Sequence, residues 1–224
     1  MHQVYVCIEY KGIYDNYIIM TIKLAVFGST KGTSLQPIID SINNNELYGV
    51  EITFVFSNIK KAYILERART NGIKDIYLPS KGLSREEYDN EVSDLLEKYD
   101  IDLVLLIGYM KLITKSFVNK WKNKIMNIHP SILPAFAGGM DLNVHQAVID
   151  RGCKITGASL IFIDENADTG PIISQSVVTV DNNETPDTLK HKVQLVEQQL
   201  LIEGIRMWRD GKINIMDNKV YILE

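Results

Sequence analysis

Leu103-Val-Leu-Leu-Ile107 is an uninterrupted apolar run between Asp102 and Gly108. A strand with no polar face must be buried on both sides, the condition of a central strand in a parallel sheet. Two similar runs precede it: Ile22-Lys-Leu-Ala-Val-Phe27 stops at Gly28, and Ile52-Thr-Phe-Val-Phe56 stops at Ser57-Asn58. Helical segments alternate with them. Leu35–Asp40 follows the loop after the first strand, and a second helix is expected around Ala62–Thr70, before a short strand at Ile76–Leu78. Ser84 caps a third helix, with Tyr88, Val92, Leu95, Leu96 and Tyr99 at the 3.6-residue period and Glu87 completing a capping box. Strand, helix, strand, helix, strand predicts an α/β fold: an open, mostly parallel twisted sheet of Rossmann-like kind with helices on both faces. Ligands of such a sheet lie beyond the C-terminal strand ends, at the switch point.

The second half changes character. Strands are expected at Lys124–His129, Ser159–Ile163 and Ile172–Val180, the last two separated by the turn-rich stretch Asp164–Pro171. A long C-terminal helix starts near Thr185, with Leu189, Val193, Val196 and Leu200 on one stripe. Lys212–Leu223 reads as two strand-like runs broken by Asp217-Asn218, a hairpin. The 224 residues suit one domain at roughly 100–200 residues each, placed at 22–224, with residues 1–21 as an N-terminal extension. Met20 is an alternative start, and a functional arm is the other reading of that extension.

Charge and cysteine usage exclude whole classes. With 24 Lys+Arg against 28 Asp+Glu the chain lacks the basic footprint of a nucleic-acid binder. Cys7 and Cys153 match no zinc or redox spacing, so no metal is expected and a reducing, cytoplasmic setting is. No apolar run approaches the roughly 18–20 residues of a membrane span, and the N-terminus has no signal-peptide pattern.

Three stretches carry candidate chemistry. Gly28–Ser34, a glycine turn between strand and helix, presents backbone N–H groups and a positive helix end to an anion. Its glycines are spaced for neither a dinucleotide nor a P-loop fingerprint, which leaves a single phosphate, with Thr33 and Ser34 as added donors, or an ordinary βα turn. In Asn127-Ile-His-Pro-Ser-Ile-Leu-Pro134, strand alternation puts Asn127 and His129 on one face. An amide beside an imidazole suits acyl-type transfer: the first polarises a carbonyl, the second stabilises an oxyanion or delivers a proton. A histidine near a strand end is more often structural, and the neighbouring Asn and paired prolines reduce that preference. Asp168, in Asn166-Ala-Asp-Thr-Gly-Pro171, is ordinary turn chemistry unless the fold brings it to His129, where it would hold the imidazole's tautomer and favour its charged form. His145, His191 and His2 have no partners at metal spacing and read as surface or packing residues; no Gly-x-Ser-x-Gly elbow supports serine hydrolase chemistry.

From Ile22 onward the chain resembles the phosphoribosylglycinamide formyltransferases of the formyltransferase superfamily. The resemblance rests on Gly32–Gln36, Val55–Asn58, Leu65–Arg69, Ser84–Glu86, Gly108–Ile113, Asn127–Pro134 and Asp168–Pro171. It implies the formyltransferase fold, transfer from 10-formyltetrahydrofolate as co-substrate to the amine of glycinamide ribonucleotide in purine biosynthesis, small-molecule substrates only, and a monomer or homodimer. By resemblance, Asn127, His129 and Asp168 form a catalytic trio. Gly32, Thr33 and Ser34 would hold the ribonucleotide's phosphate and Glu197 its ribose hydroxyls. Arg85, Met110, Lys111, Leu112 and Ile113, with Asn127, would line the folate site, Arg85 and Lys111 facing its acidic tail.

The chain departs from the family pattern in three places. Ser29-Thr-Lys-Gly-Thr-Ser34 lacks one glycine and the asparagine of the family loop. Lys111 stands where arginine is common, losing a planar fork. Ala135–Val144 is longer than the family's Pro-Gly-Leu-His loop, leaving the alignment of His145 open. Four rivals are set against this reading. Formyltetrahydrofolate deformylase carries an N-terminal regulatory domain that the 21 residues before Ile22 are too few to form. Methionyl-tRNA formyltransferase adds a C-terminal tRNA-binding domain, for which a chain ending at residue 224 leaves no room. A sugar-nucleotide formyltransferase fits Gly32–Ser34 less well than a monophosphate does, and a non-catalytic folate- or phosphate-binding module has no need of the trio.

Overall fold

The structure, a computed structural model, describes residues 21–138 and 144–224. His2, Cys7 and the rest of the extension before Thr21 lie outside the described residues, as do residues 139–143 of the long loop. The three apolar runs form β1 (Ile22–Phe27), β2 (Val50–Ser57) and β4 (Leu103–Leu106), and β3 (Asp75–Tyr77) and β5 (Ile125–His129) complete a parallel block. β6 (Ile155–Phe162) and β7 (Ile172–Thr179) add antiparallel to β5 and to each other, giving a seven-stranded sheet of order β3-β2-β1-β4-β5-β6-β7. The short 163–171 connection explains why β6 and β7 pair antiparallel, since a parallel return needs about a dozen residues and usually a helix.

Helices cover both faces. On one side α1 (Leu35–Asn43), α2 (Tyr63–Thr70), α5 (Val144–Asp150) and α6 (Pro186–Arg209) bury Leu35, Ile64, Val148 and Leu201 against Leu24, Val26 and Leu160. On the other, α3 (Arg85–Lys98) and α4 (Lys115–Lys120) bury Tyr88, Leu96 and Phe117 against Phe27, Phe56 and Val104. The expected capping box on α3 is present, Ser84 accepting from the Glu87 N–H while Glu87 accepts from the Ser84 N–H. The expected C-terminal hairpin is β8 (Ile213–Met216) and β9 (Lys219–Ile222). Asp217 and Asn218 make its turn with φ of 47° and 61°, the left-handed pair a two-residue hairpin requires. Ile213, Ile215 and Val220 pack on the α6 side of the core.

Two helices are additions to the sequence reading: α4 and α5 are too short for a period to show. β6 begins earlier than expected, because Gly157 masks a strand there; a Cβ at that position would lie 1.9 Å from the Ser176 carbonyl oxygen.

Candidate active site

β1 and β4 are neighbours, and their chains leave toward opposite edges of the sheet, so the switch point lies between their C-terminal ends. Ser29 ties the loops there together. Its N–H donates to the Gly108 carbonyl at 2.9 Å. Its hydroxyl donates to Asn58 Oδ1 at 2.7 Å and accepts from the Met110 N–H at 2.9 Å. Gly32 has φ +60°, and a Cβ on it would lie 2.3 Å from the Ile64 side chain, so the loop's turn depends on glycine.

The loop then meets α6. Ser34 sits at the N-cap of α1, yet its hydroxyl makes no cap bond; it donates to Glu197 Oε2 at 3.4 Å. Thr33 Oγ1 accepts from Gln194 Nε2 at 3.1 Å. Burial pushes the Glu197 carboxyl up to about 7, against the opposing pull of the Ser34 hydrogen bond and the charges of Lys190 and His129. Gly32, Thr33, Ser34 and Glu197 therefore form one polar cluster at the start of α1. Gln194 belongs to it as well; its place one helical turn before Glu197 was the signal in the sequence.

β5 ends in the second group. Ile125 faces the α3–α4 layer and Met126 and Ile128 the α6 layer, so Asn127 and His129 share the former face at the strand's C-terminal end. His129 is buried, and its Nδ1 lies 3.3 Å from Asp168 Oδ2. The same oxygen accepts from the Gly138 N–H at 3.0 Å. The hydrogen bond from His129, together with its charge and the Gly138 N–H, holds the Asp168 carboxyl below the usual carboxylate range despite burial. A carboxylate facing Nδ1 makes that nitrogen the proton donor and presents Nε2 to a substrate. Nε2 is buried with no hydrogen-bond partner among the described residues. Asp168 reaches this position through a tight turn. It has φ +57°; Thr169 Oγ1 donates to Asp164 Oδ1 at 2.8 Å, and Phe162 N–H donates to the Pro171 carbonyl at 2.9 Å.

The third group lines the loop after β4. Tyr109 packs on Phe27 and Phe56, with ring centroids 5.5 and 6.3 Å apart. Met110 and Leu112 turn outward, 43% and 49% exposed, while Ile113 packs on the α3–α4 layer. Lys111 Nζ sits 4.6 Å from the Tyr88 ring centre, a cation–π contact. Arg85, the exposed first residue of α3, is one turn before Tyr88, so both cations border the same end of that helix. His145 lies on α5, partly buried, and burial followed by the Lys190 charge lowers its pKa. Among the described residues no three His, Cys, Asp or Glu side chains gather as a metal ion would need. The arrangement offers an amide side chain, an imidazole paired with a carboxylate, and a glycine turn with two hydroxyl side chains, all at the C-terminal ends of the central strands, groups that an acyl-transfer site would need.

The sequence model of the family described as "Formyl transferase" matches residues 22–205. The phosphoribosylglycinamide formyltransferase of Escherichia coli is 33% identical over 200 residues, covering 89% of this chain and 92% of that protein. The chloroplastic phosphoribosylglycinamide formyltransferase of Arabidopsis thaliana is 36% identical over 210 residues, 88% of this chain and 71% of that protein. The trifunctional purine biosynthetic protein adenosine-3 of Homo sapiens is 33% identical, and the chain spans 19% of its length. Among solved structures, glycinamide ribonucleotide transformylase 1 from Symbiobacterium toebii has a TM-score of 0.88 at 32% identity, covering 96% of this chain and 100% of that one. A formyltetrahydrofolate deformylase from Pseudomonas syringae has a TM-score of 0.82 at 24% identity over 91% of this chain and 66% of that one, a likeness of fold alone.

Proposed function

The chain belongs to the formyl transferase family, and from that membership we propose that it transfers the formyl group of 10-formyltetrahydrofolate to the amine of N1-(5-phospho-D-ribosyl)glycinamide. The product is the N2-formyl ribonucleotide, a step of purine biosynthesis. The relatives' names support the substrate pair. The observation that carries the reading is the 3.3 Å approach of Asp168 to His129 Nδ1, which leaves Nε2 for the reacting group.

In this reading the α1 loop binds the phosphate through the Gly32–Ser34 backbone and the Thr33 and Ser34 hydroxyls, and Glu197 accepts from the ribose hydroxyls. Arg85 and Lys111 face the acidic tail of the folate, while Met110, Leu112, Ile113 and Asn127 line its ring site. Asn127 donates to the formyl oxygen, raising the electrophilicity of the carbon that the ribonucleotide's amine attacks. His129, charged and held by Asp168, donates from Nε2 to the developing oxyanion. The C–N bond to the folate's N10 then breaks, the proton released by the amine reaches N10, and no net proton is consumed. Holding both substrates at the C-terminal ends of the strands removes much of the entropic barrier. The proposal extends the formyltransferase domain over 22–224, which the packing of the β8–β9 hairpin on the core supports. It involves no metal, and a monomer or homodimer in the cytoplasm; no helix among the described residues is long and apolar enough to cross a membrane.

His129→Ala and Asp168→Ala test the assignment. Each is expected to lose about 10²–10⁴-fold in kcat, while calorimetry still detects ribonucleotide binding. Turnover within about tenfold of the unaltered protein in both variants refutes it.

A further inference from the structure

Beyond β5 the chain leaves the sheet at Pro130, and its backbone finds partners in side chains from the next two strands. Ser131 and Ser159 are fully buried. Ser159 Oγ donates to the Ser131 carbonyl at 2.8 Å and accepts from the Leu133 N–H at 2.9 Å. Gln175 completes the set: its Nε2 donates to Ser159 Oγ at 2.8 Å and to the Leu133 carbonyl at 3.0 Å, using both amide hydrogens. The three residues lie in one row across the sheet, His129 opposite Ser159 on β6 and Ser159 opposite Gln175 on β7.

We propose that Gln175 is a positioning residue for the His129–Asp168 pair. It touches neither reacting atom. The loop it clamps begins at His129 and runs to Gly138, whose N–H donates to Asp168 Oδ2, so one loop fixes the imidazole at its start and orients the carboxylate at its end. Ser159 ties the loop to β6, and Gln175 holds both the loop and Ser159 from the edge strand. Every donor and acceptor of the buried Ser159 hydroxyl is used, but Gln175 itself is exposed on the edge strand, so removing its amide cuts the direct tie from β7 to the Ser159 hydroxyl and the Leu133 carbonyl and leaves water to take its place. A reacting pair whose support loosens by even about 1 Å loses rate far more than affinity.

The inference rests on the formyl-transfer reading, and Gln175→Met and Gln175→Glu test it beside the unaltered protein. Met keeps the length and lacks both donors; Glu lacks them when ionised and regains one when its carboxyl is protonated. At pH 8 both variants are expected to fold, bind ribonucleotide within about twofold of the unaltered protein, and lose roughly tenfold or more in kcat. At pH 5, where only part of the introduced carboxyl is protonated, the kcat ratio of the Glu variant to the unaltered protein rises measurably above its pH 8 value, while the ratio for the Met variant stays flat. Variants whose kcat stays within twofold, whose binding and kcat fall together, or whose Glu ratio ignores pH overturn the positioning role. An unaltered protein that transfers no formyl group overturns the functional reading instead, so the two failures are separable.

Discussion

A carboxyl buried as Glu197 is keeps its proton up to about pH 7. The sign of its effect follows. Below its unfolded value, near 4.3 in an ordinary glutamate, the group is neutral in both states and costs nothing. As pH rises toward about 7 the unfolded chain has ionised and the folded one has not, so stability is lost across that window and the penalty is complete above it. Glu197→Gln cannot ionise, and its melting temperature relative to the unaltered protein is expected to rise between pH 5 and pH 8. A difference in Tm that does not change with pH contradicts the buried placement. The same variant gives up an anionic acceptor, so its ribonucleotide affinity falls, and the loss measured by calorimetry is larger at pH 8 than at pH 6. At this scale the sequence supplied the residue types. Asn127 and His129 were legible because strand alternation fixes their common face, whereas the meeting of Asp168 with His129 depends on a turn whose reach only the folded chain defines. Gln175 was not legible at all: a glutamine on a strand carries no signal until its partners are known.

Elements were readable where they are long or well punctuated. β1, β2 and β4 end at Phe27, Ser57 and Leu106, just before the sequence signals Gly28, Asn58 and Gly108, and α3 announces itself with Ser84 and Glu87. Ser84→Ala removes the capping box and is expected to cost about 1 kcal/mol by chemical denaturation, with kcat unchanged; no loss of stability removes the box from the account. Gly32→Ala is the harsher test. It places a Cβ at φ +60° against Ile64, in the turn that presents Thr33 and Ser34. A destabilisation of roughly 1–3 kcal/mol and a weakened ribonucleotide Kd are expected, against a kcat at saturation that changes less. Unchanged stability and affinity would mean the turn does not need its left-handed glycine. The substitution also bears on the departure from the family loop: one glycine stands at the required left-handed position, and Gln194 supplies a contact to Thr33 from α6.

For the whole molecule, the alternation of apolar runs and helices dictated a parallel sheet, and the switch point between β1 and β4 followed from the strand order. The antiparallel pair β6–β7 serves the site in two ways. Its connection carries Asp168 back over the end of β5, and its outer strand presents Gln175 to the loop that starts at His129. The candidate site is thus assembled from the C-terminal ends of β1, β4 and β5 together with α6, elements distant in sequence that only the folded sheet brings together. The direct measurement follows an isotopically labelled formyl group from 10-formyltetrahydrofolate in the presence of the purified chain, with and without the phosphoribosylglycinamide acceptor. Label appearing on the ribonucleotide's amine, with little released as formate when the acceptor is left out, is the outcome this account predicts. Label released to water as formate at the same rate whether or not the acceptor is present would contradict it.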